Sequence, residues 1–97
     1  MLRRWRSGSG PVAPAVHPDD AEYGVVIEGA GTMVSGGALV EPKVAKPGLT
    51  EGSRIAGGTT RTLKPGDVFL VPAGVPHWFG ITGDRLVMLG AKLRRAP

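Results

Sequence analysis

Proline or glycine interrupts nearly every window of a dozen residues in this 97-residue chain, and that constrains the fold more than any other feature. Proline removes an N–H and clashes with the preceding helical turn. Glycine costs backbone entropy, so either residue breaks or weakens a helix. The runs between the interruptions are short, apolar and often β-branched: 22–28 (EYGVVIE), 59–63, 68–71, 77–81 and 85–93. They are separated by turn chemistry at 29–31 (GAG), 35–37 (SGG), 57–58 (GG), 64–67 (KPGD), 72–74 (PAG) and 82–84 (TGD). About eight short, regularly spaced strands predict an all-β domain, a sandwich or a barrel. On this reading 22–28 and 32–34 form a hairpin across the glycines, 82–84 is a turn between the last two strands, and 11–16 is a short extended edge. Pro42 places 38–44 at a sheet edge, and the polar stretch 41–58 is an excursion between strands.

Composition decides one point. Glycine and proline total 25 of 97 residues, near the level of low-complexity disorder, but Leu, Ile, Val and Phe total 24, above the disordered range. Cysteine is absent, so disulfides, thiolate metal sites and cysteine nucleophiles are excluded. Asn and Gln are absent too, so no side-chain amide can hold a site together.

The net charge of +4 suggests nucleic acid until its position is checked. Arg3, Arg4, Arg6, Lys92, Arg94 and Arg95 lie in the end segments, and 7–91 carries six basic residues against eight acidic ones. A basic docking face normally lies on the folded element that enters the groove. The expectation is therefore a mildly acidic barrel over 10–93, with a basic tail or partial strand at 1–9 and a short tail at 94–97. No nucleic-acid partner is expected. The arginines of the start are followed by no apolar stretch of roughly 7–15 residues, so it is not read as an export signal. No run approaches the roughly 18 apolar residues of a membrane helix. The chain is expected to be cytoplasmic, with no membrane partner.

His17 and His77 are the two histidines, each beside a turn at a strand end, and Glu22 lies five residues after His17. Either histidine can be an ordinary surface or core residue. If a barrel brings them together, imidazole and carboxylate are the ligands of zinc and of non-haem iron or manganese. No nucleophile elbow or phosphate loop accompanies them.

The spacing around these residues resembles the cupin superfamily, small jelly-roll β-barrels. The second cupin motif, G(x)5PxG(x)2H(x)3N, is matched by Gly66, Pro72, Gly74 and His77, with Ile81 in place of the terminal Asn. The first, G(x)5HxH(x)3–4E(x)6G, is matched by His17, Glu22 and Gly29, with Ala15 in place of its first His and Ser9 in place of its leading Gly. The resemblance spans roughly 10–92. It implies an all-β, cupin-type jelly-roll barrel of one domain, with His17, Glu22 and His77 holding a divalent ion (Fe, Mn, Zn or Ni). An alternative register, with His17 as the first His and Asp19 as the second, leaves too few residues before Glu22.

Alternation from Glu22 puts Gly24, Val26 and Glu28 on the inward side and Tyr23, Val25 and Ile27 outward. Small residues at Ala15 and Gly24 imply a wider cavity beside the ligands, with Phe79 and Met88 on its wall, unless a larger neighbour fills it. The resemblance implies a metal-dependent oxygenase, isomerase or lyase acting on a small molecule. The alternative is a metal- or small-ligand-binding module without turnover, since Ala15 removes one ligand. A homodimer is expected, with Trp5 or Trp78 as contact candidates.

Overall fold

A computed structural model describes the backbone of residues 2–6 and all of residues 13–94. It contains ten strands and no helix among the described residues: β1 (Leu2–Arg6), β2 (Ala15–Val16), β3 (Asp20–Ser35), β4 (Ala38–Val40), β5 (Lys43–Lys46), β6 (Leu49–Glu51), β7 (Arg54–Ala56), β8 (Thr59–Leu63), β9 (Val68–Val71) and β10 (His77–Arg94). The main sheet runs β5-β6-β2-β10-β3-β8, with β1 also on β10 and β9 also on β3, while β4 and β7 pair apart. All pairings are antiparallel, and the sheet ends at β5 and β8 without closing a hydrogen-bonded ring.

Two expected turns are instead bends inside long strands. β3 continues through Gly29, and β10 continues through 82–84. The pairing passes from Ile81↔Gly31 to Leu86↔Gly29, so β10 carries extra residues opposite one short step of β3. Such a bulge bends a strand pair together without reversing either strand. Gly29 allows this because its φ is 87° and a Cβ there would overlap the Arg85 carbonyl. Glu28 and Arg85 bridge the bend with an exposed ion pair of 3.0 Å. Sequence periodicity marks both ends of each strand, but a glycine corner and a glycine turn look alike in one dimension.

The N-terminal basic segment contains a strand. Leu2–Arg6 pairs with 85–89 of β10, and Lys92 and Arg94 lie within β10. Residues 11–12 of the expected first edge lie outside the described residues, and Ala15–Val16 forms β2. The 41–58 excursion holds three strands, with β5 and β6 forming a hairpin.

The core is made by Val26, Met33, Leu63, Phe69, Val71, Phe79, Leu86 and Met88. Each fully buried aliphatic side chain contributes about 1.5–3 kcal/mol relative to exposure. Alternation holds along the first half of β3: Glu22, Gly24 and Val26 are buried, and Tyr23 and Ile27 exposed. A tight turn joins β8 to β9, where Gly66 N–H donates to the Val26 carbonyl at 2.8 Å. The Asp67 carboxylate accepts from Lys64 N–H at 3.0 Å and pairs with Lys64 Nζ at 3.1 Å. Those hydrogen bonds, the backbone one first, hold Asp67 below its ordinary value of 3.8.

Candidate metal centre

Three strand ends place the three ligand candidates. His17 follows β2, Glu22 lies near the start of β3, and His77 opens β10. β2 meets β10 at a single pair, Ala15↔His77, and this brings the two histidine-bearing segments together. The Pro72–Gly74 turn reinforces that approach. Val75 N–H donates to the Pro72 carbonyl at 3.2 Å, and Gly74 N–H donates to the His17 carbonyl at 3.0 Å. The Gly74 φ of 80° is what aims this N–H across the gap, and a residue with a Cβ would resist it. The motif spacing thus has a mechanical reading: the turn that precedes His77 is tied to the backbone of His17.

The ligand atoms of His17, Glu22 and His77 all lie within 4.8 Å of one another. Donors on one ion at about 2.1 Å stand about 3–3.4 Å apart, so the set lies within about two ångströms of closing on a metal. Glu22 is 3% exposed and His77 6%, while His17 is half-buried. The two imidazoles stack with centroids 5.2 Å apart and an interplanar angle of 18°. His77 Nδ1 lies 3.1 Å from the Val75 carbonyl. A carbonyl only accepts, so Nδ1 carries the proton and Nε2 keeps the lone pair for a metal. Two neutral nitrogens and one buried carboxylate suit a divalent first-row ion, and a two-His, one-carboxylate set leaves coordination positions for water or a ligand.

The floor of the site is aromatic. Phe79 meets the His77 ring edge-on at 6.1 Å and Phe69 at 5.3 Å. Phe79 and Met88 are core residues, 4% and 0% exposed. The space expected above Gly24 is occupied, since a Cβ there would sit 2.8 Å from Phe69 Cζ and 2.7 Å from the Leu89 carbonyl oxygen. The inward widening expected from Gly24 is therefore absent, because Phe69 on β9 fills it. Open space lies instead on the His17 side, in a cavity of about 400 Å³ lined by His17, Asp19, Asp20, Lys46, Lys92 and Arg94 among others.

A family profile described as Cupin matches residues 1–91. The chain belongs to the cupin family. A solved structure described as recombinant oxalate oxidase in complex with glycolate superposes with a TM-score of 0.66 at 21% sequence identity. The match covers 99% of this chain and 42% of the oxidase, so this cupin spans less than half the length of that protein. At that identity the likeness concerns the fold. No curated protein matches the chain in sequence.

Within this cupin the structure adds a residue that the sequence reading counted only among the basic residues of the end segments. Lys92 Nζ lies 3.3 Å from His17 Nε2. Its only signal is topological: Lys92 stands opposite Glu22 in the β3–β10 ladder. Strand pairing between residues 70 positions apart is not readable from local pattern.

Proposed function

We propose that this cupin binds a divalent metal through His17, Glu22 and His77 and acts on a small organic molecule entering from the Lys46–Lys92–Arg94 cavity. The observation that carries the reading is the convergence of the three ligand atoms within 4.8 Å, on a carboxylate and an imidazole that are both buried. Iron, manganese, zinc or nickel suits such donors. When bound, the ion supplies Lewis-acid polarisation or the activation of water or dioxygen, the chemistry of an oxygenase, isomerase or lyase. The chain's own groups have separable roles. Glu22 supplies the negative charge, the Val75 carbonyl holds the His77 tautomer, and Phe69 and Phe79 keep water from the inner side of the site. A small carboxylic acid is the ligand class, supported by the three cations of the cavity and by the glycolate bound to the oxidase of similar fold.

A second reading, a metal- or ligand-binding module without turnover, is favoured by one observation. Ala15 stands directly beside His77 in the β2–β10 pair, where the motif has a histidine. We also propose a homodimer formed through the outer face of β9, β3 and β10, on which Tyr23, Ile27, Val68, Leu70, Leu89 and Leu93 are 42–64% exposed. A contiguous apolar face of this kind marks an association surface.

The test is metal content, by mass spectrometry, of protein purified without chelator. Wild type is expected to carry near-stoichiometric metal, His77→Ala to lose it, and Ala15→His to hold it more tightly against chelator. Failure to bind any of Fe, Mn, Zn or Ni at any added concentration refutes the proposal. Turnover of candidate carboxylic acids by the loaded protein separates the enzyme from the binding module.

A further inference from the structure

We propose that Lys92 is an internal rival of the metal for His17 and, once displaced, the group that selects an anionic ligand at the site. The inference rests on the metal-binding reading above. Lys92 pairs with Glu22 across β3 and β10, so both side chains leave the sheet on the same face. Its Nζ lies 3.3 Å from His17 Nε2. An ammonium only donates, so Nε2 accepts and commits its lone pair to Lys92. A neutral imidazole has one lone pair and one N–H, which places the proton on Nδ1. While the contact holds, neither nitrogen of His17 can ligate a cation.

Binding through Nε2 requires the lone pair that Lys92 holds. Binding through Nδ1 moves the proton to Nε2, where it faces another donor. Metal and Lys92 contact are therefore mutually exclusive by either route, and repulsion between the ion and the ammonium acts in the same direction. The displaced side chain remains on the wall of the cavity of about 400 Å³, which Lys46, Arg94, Asp19 and Asp20 also line. There the three cations outnumber the two carboxylates. A small carboxylate that reaches the ion meets the ammonium that the ion has just released. Lys92 thus opposes the metal alone and favours the metal together with an anion, and by linkage each partner strengthens the other.

The experiment is calorimetric titration of Mn(II) into the full chain, wild type and Lys92→Met, without additive, with glycolate and with the neutral glycolamide. Lys92 is exposed, so its replacement leaves the core intact. Lys92→Met is expected to bind Mn(II) about threefold to tenfold more tightly than wild type in the absence of an anion, the net worth of one hydrogen bond, about 0.7–1.4 kcal/mol. Glycolate is expected to tighten Mn(II) binding in wild type, by a factor that falls at least about threefold in Lys92→Met. Glycolamide is expected to have no such effect. Equal or weaker Mn(II) binding by Lys92→Met, with wild type binding normally, overturns the proposal and leaves the metal reading standing. An equal glycolate effect in both proteins also overturns it. Absence of Mn(II), Fe(II), Zn(II) and Ni(II) binding in both proteins overturns the proposal and the metal reading together.

Discussion

Replacing Gly24 by alanine adds one methyl group at a position where the sequence suggests spare room and the structure has none. Gly24 is buried two residues after Glu22, between β9 and β10. The added Cβ would meet Phe69 Cζ at 2.8 Å and the Leu89 carbonyl oxygen at 2.7 Å. A ring can turn away, but a carbonyl in a paired strand cannot move alone. The β3–β10 ladder must open by roughly half an ångström, and overpacking of this kind costs about 1–3 kcal/mol. At about 4–8 °C per kcal/mol for a domain of this size, the melting temperature is expected to fall by about 4–24 °C. Thermal unfolding followed by circular dichroism reads the loss, with denaturant titration giving the free energy directly. The same opening separates Glu22 from β10 near its pairing with Lys92, so Mn(II) affinity is expected to fall as well. A melting temperature within about 2 °C of wild type, with Mn(II) affinity unchanged, would refute the reasoning and restore an open cavity above Gly24.

Two further outcomes follow from the turn at Asp67 and from the outer sheet face. The folded-state value of Asp67 is lowered, so its stabilising contribution is present above the unfolded value near 3.8 and is lost as pH falls through the lower folded value. Urea midpoints are expected to drop less steeply in acid for Asp67→Asn than for wild type, and identical slopes would refute the assignment. The chain is expected to sediment as a dimer at micromolar concentration and Leu70→Glu as a monomer, since Leu70 is 61% exposed on the proposed interface. A monomeric wild type would refute that interface.

Strand content was legible in the sequence because it depends on local spacing, and the three ligand candidates because their spacing resembles the cupin motifs. Glycine and proline punctuation excludes helices wherever the chain folds, and alternation from Glu22 assigns Val26 to the core and Tyr23 to the surface. His17, Glu22 and His77 were readable as candidates through the motif resemblance, which the glycines and prolines of the neighbouring turns carry. The bends at Gly29 and 82–84 were not readable as bends, because a bulge becomes distinct from a hairpin only when the partner strand is known. The filling of Gly24 by Phe69 and the approach of Lys92 to His17 were hidden for the same reason. Both join residues more than forty positions apart, and their meeting is decided by which strands pair and by which face each side chain leaves. The sequence by itself determined a strand-built cupin and its three metal-ligand candidates. Only the tertiary structure decided where the open space lies and which cation stands at the site, because these depend on distances between strands that no local pattern encodes.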